Sequence, residues 1–144
     1  MVHDAQVHEL LQLSTMALAT GLNGSPHVAP VFFVADAEYH LYFFSASDSQ
    51  HSRDLKENPA SAIAIYQETH DWRAIHGLQM RGLAREVIPG FEWNHAWVLY
   101  QEKFPFVREF SAVVKDNKLY VFIPEWIRLI DNRAGFGHKK EWYI

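Results

Sequence analysis

The chain has 144 residues, 49% of them hydrophobic and 21% charged, with a net charge of −4 and no cysteine. That length points to one domain, large enough to bury a core unaided. The acidic balance excludes a general nucleic-acid or anionic-membrane binder, and the missing thiols exclude disulfides, thiolate catalysis, iron–sulfur clusters and cysteine-ligated zinc.

The first periodic segment is Asp4 to Ser14, where Val7, Leu10 and Leu11 fall at helical spacing behind Asp4 as a cap. Met16 to Leu22 reads as a strand, and Asn23-Gly24 as a hairpin turn, since both residues tolerate positive φ. Its partner strand is His27 to Ala35. The run Val28 to Val34 is almost continuously apolar, which predicts cover on both faces. Asp36-Ala37-Glu38 turns the chain into a strand at His40 to Phe44. A short helix follows, ended by Asn58-Pro59, and then a strand at Ser61 to Gln67.

Ile75 to Ile88 reads as a longer strand with Leu78, Met80, Gly82 and Ala84 on one face and Gln79, Arg81 and Arg85 on the other. Phe91 to Phe104 is a helix with Trp93, Trp97, Tyr100 and Phe104 in one stripe, read as packing. Ser111 to Val114 and Lys118 to Ile123 flank the hairpin signal Asp116-Asn117. Trp126 to Ile130 and Lys140 to Ile144 complete the strands, with a Gly-rich bend between them. Tight turns, many short strands and few helices imply a small antiparallel barrel. Aromatics at 15% add a thick core or a large buried interface. Ala17-Leu18-Ala19 imitates a signal-cleavage box, but no Lys or Arg precedes it, and no run is long enough for a membrane span. The expected protein is soluble and cytoplasmic.

Nine histidines raise a metal hypothesis, yet no two form an i, i+4 pair on a helix or an HxH pair on a strand, so no metal is expected. No GxSxG or SxxK motif supports nucleophilic catalysis. The stretch SASDSQHSRDLKENP, Ser45 to Pro59, admits two readings. Ser49 is a plain N-cap, or the helix-start N–H groups with Ser45, Ser49, His51 and Arg53 hold a phosphate. The bend Asn132 to Gly137 also admits two, a simple turn or a close backbone approach to a flat ligand beside Phe136 and Lys139.

The run MALATGLNGSPHVAPVFFVAD, then LYFFSAS, SRDLKENPASAIAIY and GLQMRGLAREV, resembles the FMN-binding split barrels related to pyridoxamine phosphate oxidase. KFPFVREF and IDNRAGFGHKKEW are similar to the YhbP-like branch of that superfamily. The resemblance implies a mainly β fold: a six-stranded antiparallel split β-barrel with flanking short helices, spanning residues 1–144 as one domain. It further implies a homodimer with FMN between the subunits. By the same resemblance, the phosphate meets Phe44, Ser45, Ser49, Gln50, His51 and Arg53. The ring runs along Pro30, Val31, Phe32 and Phe33, and Gly77, Leu78 and Gln79 approach from the far wall or the other subunit, with Lys139 closing the groove.

The oxidase pattern has an arginine near Ala29 and basic residues at Gln50 and His51. Residues 45 to 58 here carry Asp48, Asp54 and Glu57 against Arg53 and Lys56, a net −1 with His51 neutral. The expected clamp therefore relies on N–H groups, hydroxyls, Arg53 and a protonated His51. Oxidase activity itself is not implied, because the C-terminal substrate arginines of that family have no counterpart. The expected function is FMN binding, with an FMN-dependent oxidoreductase of unknown substrate as its active form. A non-catalytic ligand-binding or interaction barrel and a haem-binding split barrel are the other two readings.

Overall fold

The structure, a computed structural model, describes residues 2–109 and 115–144. Asp4 caps helix α1 (Ala5–Leu10), accepting from Gln6 N at 2.9 Å and Val7 N at 3.3 Å. The helix is shorter than the expected Asp4 to Ser14, but Val7 and Leu10 are its buried face, as the spacing required. Strands β1 (Thr15–Leu22) and β2 (Ser25–Phe32) form the expected hairpin. Asn23 and Gly24 both take positive φ, 53° and 77°, which matches the right-handed twist of the strands they join.

The chain continues through β3 (Val34–Ala35), β4 (Leu41–Ser45), α2 (Gln50–Glu57), β5 (Ala60–Tyr66), β6 (His76–Glu86), α3 (Phe91–Lys103), β7 (Lys118–Asp131) and β8 (Lys139–Tyr143). Among the described residues these strands make one antiparallel sheet in the order β2-β1-β5-β6-β7-β4-β3, with β8 added to β7. The sheet curls into a half-barrel, bringing β2 near β4. Inward residues Met16, Leu18, Ile63, Ile65, Leu78, Met80, Ile127 and Leu129, with Phe33 and Phe43, fill the main core. A second cluster forms where α3 sets Ala96, Tyr100 and Phe104 against Val34, Tyr42, Leu119 and Val121. The expected aromatic stripe is indeed packing: Phe44 meets Trp93, Trp97 and Tyr100 edge-on at 6.3, 5.7 and 5.0 Å.

The described strands number eight, against the six that the resemblance implied. The expected strand His27 to Ala35 breaks at Phe33, whose side chain turns into the core, so Val34 and Ala35 pair with β4 instead of β1. The strand expected at Lys140 to Ile144 is β8, paired with β7. Lys118 to Ile123 and Trp126 to Ile130, expected as two strands, merge into one. Pro124, which donates no hydrogen bond, sits opposite Gly82 where the β6–β7 register shifts, so the break foreseen at Pro124-Glu125 is a bulge. Gly82 is required there, because a Cβ would lie 2.0 Å from the Ile123 carbonyl oxygen. The expected segment Ser111 to Val114 lies outside the described residues.

The cover expected for both faces of β2 is not provided by this chain. β2 is a sheet edge, and Val28 and Phe32 remain 64% and 48% exposed.

Candidate functional site

The end of β4 meets the start of α2 at a cluster of hydroxyls. Ser45, the last residue of β4, is buried and hydrogen-bonds Ser49 Oγ at 3.1 Å and the Nε2 of His51. Ser49 caps α2: its Oγ accepts from Ser52 N at 3.3 Å and donates toward the Ala46 carbonyl at 2.8 Å. Ser52 Oγ lies 2.8 Å from Ser49 Oγ. The cap reading and the anion-seat reading thus share their atoms, since the hydroxyls that finish the helix also surround its first N–H groups.

Behind this cluster lies a second polar chain. Asp54, almost wholly buried, accepts from Thr20 Oγ1 on β1 and from Gln50 Nε2, each at 2.8 Å. Gln50 in turn accepts from Arg53 Nη2 at 2.8 Å on the exposed rim. The Gln50 and Thr20 bonds hold the Asp54 carboxyl below the ordinary carboxylate range. His27 on β2 stacks against His51, ring centroids 6.2 Å apart and planes 16° from parallel. Burial, and then the neighbouring His27, push His51 below the ordinary imidazole range, with Asp54 pulling the other way. In the free chain His51 is therefore biased toward the neutral ring, against the protonated form expected from the sequence.

On the outer face of the sheet, two cross-strand rows form a groove of about 450 Å³. The first runs Pro30, Ala17, Ala64, Gln79, Arg128; the second runs Val28, Ala19, Ala62, Arg81, Trp126. Four alanines make its floor. One wall is Trp126, with the Arg81 and Arg128 guanidiniums 4.2 and 4.8 Å from its ring centroid. Glu141 fixes Arg128 at 2.7 Å.

The structure thus gathers Ser45, Ser49, His51, Gln50 and Arg53 at one end of the barrel. It sets Gln79 in the outer groove and Pro30 beyond it on the edge strand, the two separated by β1 and β5. Phe32 shares the outer face of β2, whereas Val31 faces the core side with His27. Phe33 and Leu78 point into the core, so they have only backbone to offer a ligand. Phe44 is engaged by α3. Gly77 answers a packing need, since a Cβ there would lie 2.9 Å from the Ile65 carbonyl oxygen. Lys139 is exposed on β8. Sequence reasoning missed His27, Thr20 and Asp54, which only the pairing of β1 with β2 and the docking of α2 bring to the seat. It also missed the alanine floor, whose signal was the repeated alanine at alternate positions in β1 and β5. Among the described residues no three His, Asp or Glu side chains are placed to hold a metal ion, and no helix is long and apolar enough to cross a membrane.

Residues 2–131 match the family described as pyridoxamine 5'-phosphate oxidase. The chain belongs to that family. The protein YhbP of Escherichia coli strain SMS-3-5 is 28% identical over 115 residues, covering 79% of this chain and 74% of that one. Among solved structures, HutZ, the haem storage protein from Vibrio cholerae, superposes with a TM-score of 0.74 at 22% identity, covering 87% of this chain and 92% of that one. A FAD-binding protein from Mesorhizobium loti gives 0.69 at 17% identity, covering 89% and 94%. At those identities the structural likeness establishes the fold, a split barrel of the pyridoxamine phosphate oxidase type.

Proposed function

We propose that this chain binds FMN, as a homodimer, and serves as a flavin-dependent redox protein. The observation that carries the reading is the seat at Ser45, Ser49 and His51, where hydroxyls, an imidazole and helix-start N–H groups converge with Arg53 at the rim. That donor set suits a phosphomonoester, whose oxygens only accept. The ring would lie along Pro30, Val31 and Phe32 on the edge strand, with the Phe33 backbone beside it.

A second copy is part of the reading. Gln79 and Pro30 are three strand spacings apart, roughly 14 Å, so a single chain does not bring both against one flat ring. Gly77, Gln79, the Leu78 backbone and Lys139 would come from the partner. The exposed apolar side chains of β2 would then be covered, as an edge strand requires. When bound, the flavin supplies hydride or single-electron exchange, and the residues of this chain hold, orient and desolvate it.

Haem binding is the second reading, favoured by the likeness to HutZ; against it, the outer groove is lined by no histidine. Titration with FMN, followed by quenching of its fluorescence, tests the first reading. FMN should bind at least about tenfold more tightly than riboflavin, which lacks the phosphate. Failure of both flavins, with tight uptake of haem, would transfer the proposal to the second.

A further inference from the structure

The seat contains two imidazoles, and the second stands on a different element. His51 is buried and directs Nε2 to Ser45, and among the described residues it leaves no buried side-chain atom unpartnered. His27 covers that ring from β2 and also borders a polar hollow of about 530 Å³ shared with Asn23, Ser25, Gln50 and Asp54. The elements around the pair present few charges. From α2 come Asp54 and Arg53; β1 offers the Thr20 hydroxyl and β4 the Ser45 hydroxyl. With both rings neutral, Arg53 and Asp54 cancel. With both rings protonated, the cluster is two positive charges in excess, which is the charge of a phosphomonoester dianion.

We propose that His27 and His51 together form a proton-loaded clamp for a phosphomonoester, so that ligand binding takes up protons and weakens as pH rises. The inference rests on the FMN reading for the identity of the ligand, but the clamp is defined by phosphate chemistry alone. Stacked parallel rings repel once charged, so an anion lying against them favours their charged forms. Burial and His27 both hold His51 below its ordinary range in the free chain, which leaves the proton to arrive with the ligand. Fixed arginines would bind the same phosphate at every pH; two histidines make its retention conditional.

Two measurements on the full chain test this. FMN affinity should fall about tenfold or more between pH 6.5 and 8.5, a range in which the phosphate is already mostly dianionic. His27→Arg should flatten that profile, while His27→Asn should weaken FMN and leave riboflavin binding unchanged. In proton NMR, inorganic phosphate should shift the ring signals of both histidines and raise the pH at which His51 titrates. Flat FMN affinity in the wild type, or an unaffected His27→Asn variant, overturns the clamp and leaves the flavin reading standing. Ring shifts with phosphate in a chain that binds no FMN would support the clamp and remove the flavin reading.

Discussion

Thr20 on β1 donates its hydroxyl to Asp54 on α2 at 2.8 Å, joining residues 34 apart in the chain. Through that bond the helix carrying Ser49, Gln50 and His51 is pinned to the sheet that carries His27. Thr20→Val keeps the shape and removes the donor. It should lower the melting temperature by about 5 °C and weaken FMN binding, because α2 can then shift against β2. The sign with pH follows from the depressed Asp54 carboxyl. Its contribution is present above the ordinary carboxylate range and is lost as pH falls below that range through the depressed folded-state value. The gap in melting temperature between wild type and variant should therefore shrink in acid; a constant gap down to the acid transition would contradict the assignment.

Gly82 marks the point where β6 meets the bulge around Pro124. A Cβ at Gly82 would fall 2.0 Å from the Ile123 carbonyl oxygen and 2.9 Å from Pro124 Cα. Gly82→Ala should cost at least about 3 kcal/mol by denaturant unfolding. Gly21→Ala is the comparison, since its nearest neighbour would be the Ser25 carbonyl oxygen at 3.6 Å, and it should cost under about 1 kcal/mol. Similar losses for the two would show that the bulge is not tightly packed.

Lys103 places its ammonium 2.6 Å from the Leu13 carbonyl oxygen, 3.3 Å from that of Leu11, and 4.1 Å from the Phe33 ring centroid. Burial pushes its pKa down to about 8 from an ordinary 10.5. Between those values the unfolded chain binds the extra proton, so this group makes stability rise with pH from about 8 to about 10. Wild type measured against Lys103→Met should gain melting temperature across that interval. Parallel curves for the two proteins would mean that Lys103 is solvated.

The proposed dimer requires the alanine floor to be covered. Ala62→Arg puts a long cation between Ala19 and Arg81 on the outer face. It should leave the melting temperature of the isolated fold nearly unchanged and convert a dimer into a monomer of 16.7 kDa by light scattering. Wild-type protein already at that mass at micromolar concentration would contradict the assembly.

Much of this was legible in the sequence because it depends on local chemistry. Asn23-Gly24 declares its turn through positive φ, the alternation from Leu78 to Ala84 declares an inward face, and Ser49 declares a cap. Pro124 misled for a local reason too: a residue without an N–H breaks a strand unless a bulge faces it, and that bulge depends on Gly82, 42 positions earlier. His27 and His51 belong to different elements, so no spacing rule joins them. The continuous apolar run Val28 to Val34 pointed to cover on both faces, and the curled sheet leaves one of them open.

If a flavin occupies this barrel, the visible absorption spectrum of the purified protein, reconstituted with FMN and freed of excess ligand, should show it. The expected result is the two-banded absorption of oxidised flavin, retained by the folded protein and released on denaturation. A colourless protein, or one that instead takes up haem and shows a single Soret band, would contradict it.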